Sequence, residues 1–357
     1  MNSIHTSGNR TPGNRTAAAL ALAGGVLAVG FLASRRGEDL AGRIVLIMGG
    51  SRGLGLALAQ HLAIIGCRVA ICGRDQASLD SARRAIRRAS SQDCLTIAAD
   101  VTIPEQVEHA ISTVRSECGQ IDILINNAGV ISVGPLSHMN LDDFHQALDV
   151  MFWGMVRPTL LVLPSMLERR CGNIVNITSI GGMVSVPHLL PYCSAKFAAY
   201  GFSEGLSAEL TNTGVHVTTV APGLMRTGSF LAAEFKGNPE QESTWFSLSS
   251  SLPGLTISAD RAASRIVKAI ERNRRLLILS TPANVLARLH GMFPSLSGTL
   301  VGAAGTLLPR AKAQASTRRG AEIDKPAWVR SMLTLGRDAA KRLQPQLSGS
   351  PAVQPPG

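Results

Sequence analysis

Aromatic residues make up only 4% of the 357-residue chain, so any core must be built from aliphatic side chains. Hydrophobic residues at 45% are enough to build a sizeable one. Metal-ligand spacing is missing too. Cys67, Cys72, Cys94, Cys118, Cys171 and Cys193 form no C-x-x-C pair, and none combines with histidines at zinc spacing, so no metal site is expected. They read as buried free thiols of a reduced compartment rather than a disulfide framework. Acidic residues are in deficit, 24 against 35 Lys and Arg, for a net charge of +11. Such a balance suits nucleic acid, an anionic membrane surface or an anionic cofactor. No zinc-finger spacing or aromatic–basic interleaving supports the first, so nucleic acid is not an expected partner. The basic clusters, Arg83, Arg84, Arg87 and Arg88 and then Arg310 to Arg342, read as solvated faces. There is no internal repeat.

What is present divides the chain into three parts: residues 1–40, 41–284 and 285–357. The first holds a polar, disordered start and an apolar run at 17–33, closed by Arg35 and Arg36. The run is marginal against the roughly 20 residues a membrane span needs. It reads either as a membrane anchor or surface helix, or as a frayed N-terminal helix. The middle part alternates strands and helices. Short, branched, nearly continuous apolar runs at 43–48, 68–72, 94–98, 121–125, 173–178, 215–221 and 275–280 read as strands covered on both faces. Amphipathic stretches between them supply the crossovers, giving a doubly wound α/β fold with a parallel sheet of about seven strands. The last part is an extension, apolar at 291–309, then basic, ending in a Pro/Gln/Ser/Gly stretch read as disordered; residues 285–309 read as an extension of the substrate pocket, a membrane-docking segment or a subunit interface.

The first strand runs into Gly49-Gly50-Ser51-Arg52-Gly53-Leu54-Gly55, with a helix expected from near Leu54. Glycine permits positive φ in a sharp turn, lets backbone N–H groups approach a pyrophosphate, and lets helix pack closely on strand. The helix start then offers free donors and a positive dipole end to phosphates. After the second strand, Gly73 occupies the position where an acid would hold the ribose of NAD. Arg74 follows it, and Arg52 lies in the turn; two guanidiniums suit a 2′-phosphate. NADP(H) is therefore the expected cofactor and NAD the lesser choice, the rival reading being that Asp75 binds ribose.

Ser179 stands at the C-terminal end of the fifth strand, and Tyr192 and Lys196 share one helical face at i and i+4. A free tyrosine titrates near 10. A neighbouring ammonium, a helix start and a nicotinamide cation would all lower that value and let Tyr192 trade a proton with a substrate oxygen. Ser179 would hydrogen-bond the same oxygen. Tyr192 and Ser179 are thus the expected substrate contacts.

From about residue 42 to 280 the chain resembles the short-chain dehydrogenase/reductase family, whose fold is Rossmann-type. The resemblance rests on the glycine turn, Asp100-Val101, Asn126-Asn127-Ala128-Gly129, Ser179, Tyr192, Lys196, and Pro222-Gly223 with Thr227. It implies a Ser179–Tyr192–Lys196 catalytic trio. It also implies that Asp100 and Val101 contact adenine, Asn127 lines the cofactor groove, Lys196 binds the nicotinamide ribose, and Pro222, Gly223 and Thr227 hold the nicotinamide end. Gly49, Ser51, Gly53, Leu54 and Gly55 complete the cofactor set, with Arg52 and Arg74 where NADP-using members carry basic residues. Two positions depart from the pattern. Met48 replaces the usual Thr, and Met151 replaces an Asn that helps organise a water linking the lysine to solvent.

The stretch 224–254, with Met225, Phe230, Phe235, Trp245 and Phe246, reads equally as a lid over a lipophilic substrate and as packing on the core. His188 reads as a substrate contact or, more often for a loop histidine, as solvated. The expected activity is NADP(H)-dependent carbonyl–alcohol interconversion. A cofactor-binding regulator with weak turnover, motivated by Met151, is the alternative; a membrane-tethering module is a third and weaker one. A cytoplasmic catalytic domain, attached to a membrane through residues 17–33, and a homo-oligomer complete the expectation.

Overall fold

The computed structural model describes residues 37–251, 256–310, 317–326, 329 and 333–344. The apolar run 17–33, the polar segment before it and the Pro/Gln/Ser/Gly end fall outside the described residues.

Seven parallel strands form the central sheet in the order β7-β6-β5-β4-β1-β2-β3: β1 (Ile44–Met48), β2 (Arg68–Gly73), β3 (Leu95–Ala98), β4 (Ile123–Asn126), β5 (Gly172–Ile177), β6 (Val215–Ala221) and β7 (Leu276–Ile278). Alternate side chains of each strand serve two separate cores, because successive Cβ atoms point to opposite faces. Val45 and Ile47 pack with Leu58, Leu79 and Ile266, from helices α1 (Gly53–Ile64), α2 (Gln76–Ser90) and α8 (Ala259–Glu271). Leu46 and Met48 pack with Val107, Val162 and Ala195, from α3 (Pro104–Glu117), α5 (Gly154–Arg169) and α6 (Leu190–Glu209). Both faces being covered is why the strands read as unbroken apolar runs. Met48, the departure in the glycine turn, is a fully buried core residue.

Helix α4 (Leu141–Leu148), a π-helical turn (Asp149–Trp153) and α5 run on continuously. Among the described residues, Leu141–Arg169 is the one stretch long and apolar enough to cross a membrane, and half of its apolar window is buried inside the protein. Strand order reverses at β1, between β4 and β2, which opens a crevice at the C-terminal edge of the sheet. Two small sheets flank that edge: Met225–Arg226 with Ile257–Ser258, and Glu234–Phe235 between Ser132–Val133 and Arg318–Arg319. Helix α7 (Pro239–Ser249) lies in the lid. Helices α9 (Thr281–Met292) and α10 (Pro294–Gly305) follow β7, and α11 (Thr334–Leu343) returns to pack near α1.

Candidate active site

A cavity of about 590 Å³ opens at the crevice and is lined from both halves of the sheet. One end is the glycine turn. Gly49 takes φ +81°, and a Cβ there would lie 2.8 Å from the Cα of Ala128. A Cβ on Gly55 would lie 2.1 Å from the carbonyl oxygen of Gly49, to which Asn127 Nδ2 donates at 2.7 Å. Turn, helix start and the loop after β4 are thus interlocked with no room for a methyl group. Gly55 sits beneath the cavity wall; Gly49, Ser51, Arg52, Gly53, Leu54, Arg74, Asp100, Val101, Asn127, Pro222, Gly223 and Thr227 all line it. Helix α1 begins after Arg52 with no side-chain cap and no acid in its first turn. Its opening N–H groups are therefore left for an anion.

Arg52 and Arg74 both border this end. Burial, and then the Arg74 guanidinium beside it, hold the Arg52 pKa below its usual value. Asp100 takes hydrogen bonds from Thr102 N and Oγ1 at 2.9 and 2.8 Å and faces Arg74 at 3.8 Å. Asp75 does not border the cavity. It caps α2, accepting from Ser78 N at 2.8 Å, and hydrogen bonding by Ser78 keeps its pKa low. The chain therefore fits an anionic dinucleotide on three counts: an uncapped helix start, a cradle that a Cβ would fill, and an arginine pair.

At the other end, β5 leads into Thr178 and Ser179, and α6 carries Tyr192 and Lys196. Ser179 and Tyr192 both line this end of the cavity, and the Ser179 hydroxyl accepts from Gly181 N at 3.0 Å. Lys196, 4% exposed, donates from Nζ to the Ile177 carbonyl at 2.8 Å, with Nζ 5.9 Å from the centre of the Tyr192 ring. Burial acts against the lowering expected of the phenol. Burial pushes Tyr192 up to about 12, only partly offset by the neighbouring Ser179 hydroxyl, and pushes Lys196 down to about 8. Desolvation favours the neutral form of both groups.

Met151 lies in the π-helical turn, 1% exposed, among Ala147, Val150, Val162 and Ala195. Its sulfur would sit 3.8 Å from a Cβ on Gly129, a cavity residue. Apolar packing occupies this wall, where only a weak acceptor is available. Deeper in the sheet, Asn126 Nδ2 donates to Thr159 Oγ1 and Asn176 Oδ1 at 3.0 and 2.8 Å, and Asn176 Nδ2 donates to Ser203 Oγ at 2.9 Å. This buried network ties β4, β5, α5 and α6 beneath the site.

The lid residues split between their two readings. Met225 and Trp245 line the cavity, Phe230 and Phe235 fill a third core with Val133, Leu189 and Ile323, and Phe246 does both. His188 is neither a cavity residue nor simply solvated. At φ +64°, its Nδ1 is 2.8 Å from Glu242 Oε1, and Glu242 is fully buried and takes a 2.6 Å hydrogen bond from Trp245 Nε1. The buried carboxylate, its pKa raised by burial, thus fixes a cavity indole to the loop preceding Tyr192. Sequence reading also missed Leu286 of α9, and Gln344, whose Nε2 donates to the Thr227 carbonyl at 3.0 Å. Nothing local in the sequence marks either.

The short chain dehydrogenase family model matches residues 43–235. A 3-oxoacyl-acyl-carrier-protein reductase of Vibrio harveyi is 33% identical over 189 residues, 53% of this chain and 76% of that protein. A fatty acyl-CoA reductase of Acinetobacter baylyi is 27% identical over 298 residues, 82% of this chain and 94% of that protein. The crystal structure of a short-chain dehydrogenase from Streptomyces avermitilis matches with a TM-score of 0.62 at 28% identity, covering 74% of this chain and 99% of that one. With a doubly wound sheet and a glycine-lined helix start at its switch point, the chain belongs to the short-chain dehydrogenase family and is an NAD(P)-dependent oxidoreductase.

Proposed function

We propose that the chain interconverts a carbonyl and an alcohol on a lipophilic substrate, with NADP(H) as cofactor, Tyr192 as acid/base and Ser179 and Lys196 as its catalytic partners. The observation that carries this reading is the gathering of Ser179, Tyr192 and Lys196 at one end of a cavity whose other end holds Arg52 and Arg74. NADP is favoured over NAD because Asp75 is spent on capping α2 while both arginines face the cavity. Arg52, Arg74 and the open start of α1 would hold the phosphates; Asp100 and Val101 the adenine; Asn127, Lys196, Pro222, Gly223 and Thr227 the ribose and nicotinamide end. When bound, the cofactor supplies or accepts hydride. Tyr192, held protonated by burial, gives its proton to the substrate oxygen during reduction, while Ser179 orients that oxygen. Lys196 stands behind Tyr192 as the nearest group able to return a proton. Trp245, Phe246 and Met225 give the substrate end its apolar character, consistent with relatives whose names specify fatty acyl-CoA and 3-oxoacyl substrates.

Exposed apolar side chains on α4, α5 and α6, including Leu141, Leu160 and Phe197, support a homo-oligomer. The net charge of +11 supports a catalytic domain working at a membrane surface on its cytosolic side.

The test is titration of the purified protein with NADPH and NADH, followed by cofactor oxidation over a panel of lipophilic ketones and aldehydes. Tighter NADPH binding is expected, with turnover falling about 10²–10⁴-fold in Tyr192→Phe. Tighter NADH binding would remove the NADP assignment. Cofactor binding with no Tyr192-dependent turnover would favour the second reading, a regulator, which the apolar packing at Met151 motivates.

A further inference from the structure

The hairpin of α9 and α10 leaves an unusual surface open. Val285, Leu289 and Met292 recur at helical spacing on α9, and Leu296 and Leu300 on α10, with Phe293 between them; each is 45–63% exposed. The two helices are held together, His290 Nδ1 lying 2.7 Å from Ser297 Oγ. The hairpin also borders the substrate end. Leu286 lines the main cavity, and a Cβ on Gly305 would lie 3.1 Å from Pro187, in the loop between Ser179 and Tyr192.

Charge accompanies this apolar face. No aspartate or glutamate occurs between Glu271 and Glu322. At the base of α9 a second cavity, of about 450 Å³, is lined by Arg265, Arg274 and Arg288 together with Leu276, Ile278 and Asn284. Among the described residues none of these three arginines has a carboxylate partner. Exposed leucines beside unneutralised arginines match a layer that is apolar inside and anionic at its rim. A second copy of the chain fits less well, because a two-fold contact through this face would set the same cations against each other.

We propose that the α9–α10 hairpin seats the mouth of the main cavity on an anionic phospholipid surface. The leucines, Met292 and Phe293 enter the boundary between headgroups and acyl chains, and Arg265, Arg274 and Arg288 meet lipid phosphates. A lipophilic substrate dissolved in the bilayer then reaches the cavity past Leu286 without crossing water. This inference rests on the membrane-surface reading above and not on the hydride chemistry.

The full chain is floated with phosphatidylcholine vesicles and with phosphatidylcholine vesicles containing phosphatidylserine. Binding to the second set is expected to exceed binding to the first and to fall with added salt, and Arg274→Glu with Arg288→Glu to reduce it on the order of tenfold. A Leu296→Trp variant is then bound to the same vesicles carrying brominated acyl chains. Quenching beyond that of the parent chain is expected. Flotation without the extra quenching would overturn the hairpin assignment while leaving the membrane-surface reading standing, and absence of flotation would overturn both. A dimer in sedimentation that Leu289→Asp with Leu296→Asp dissolves would reassign the face to a second copy. No arm reads turnover, so failure of the hydride reading is seen separately.

Discussion

A lysine 4% exposed, donating to a main-chain carbonyl, carries an electrostatic cost at neutral pH. Lys196 is pushed down to about 8 in the fold, against an ordinary 10.5. At pH 7 it is charged in both folded and unfolded chains, so the cost is fully present. Between pH 8 and 10.5 the unfolded chain binds the extra proton, and stability rises with pH across that window. Lys196→Met is therefore expected to raise Tm at pH 7 by about 2–8 °C while abolishing turnover, with the gain shrinking from pH 8 upward. Calorimetry across that range checks the sign; a gain that grows with pH would contradict it. Arg74 makes a sharper probe of the cofactor. It borders the cavity and pairs only loosely with Asp100, at 3.8 Å. Arg74→Ala is expected to weaken NADPH about 10–100-fold and leave NADH within about twofold, as fits the loss of hydrogen bonds to one charged group.

Secondary-structure elements were legible where their environment is uniform. β1 through β6 follow their apolar runs within one or two residues because both faces of each strand are covered, and α6 places Tyr192 and Lys196 on one face as i and i+4 require. β7 is shorter than its run, Leu276–Ile278, because it stands at the edge of the sheet. The lid was not legible, since its organiser is a contact between residues 54 positions apart, His188 and Glu242. No periodicity encodes such a pair. His188→Ala leaves a buried carboxylate without one of its partners. It is expected to cost about 1–3 kcal/mol of stability and to raise KM for long-chain substrates, with NADPH affinity unchanged. A shift in tryptophan emission would report release of Trp245. The π-helical turn holding Met151 was equally silent in the sequence. Met151→Asn should cost a similar amount of stability by placing an amide among aliphatic side chains. It is expected to raise kcat severalfold with KM unchanged, since an amide then stands where the family carries its water-organising Asn. Steady-state kinetics with urea titration separates the two effects.

The molecule as a whole joins distant segments around one cavity. The glycine turn and the cluster of Ser179, Tyr192 and Lys196 come from opposite halves of the sheet, an arrangement set by the strand order; the alternation of apolar runs predicts the doubly wound sheet but not that order. The return of the C-terminal segment does not follow from it. Gln344 donates to the carbonyl of Thr227, 117 positions earlier, and a Cβ on Gly228 would lie 2.6 Å from Ala340. Removing residues 333–357 is expected to weaken NADPH binding on the order of tenfold by fluorescence titration, since a hydrogen bond and close packing beside Thr227 are both lost.

That late strut also sets a timetable for biosynthesis. The wall at Thr227 stays unfinished until residues 334–344 have left the ribosome. Nascent chains will carry the glycine cradle long before that wall is closed, and proteolysis during synthesis will find the Thr227 region open in the interval.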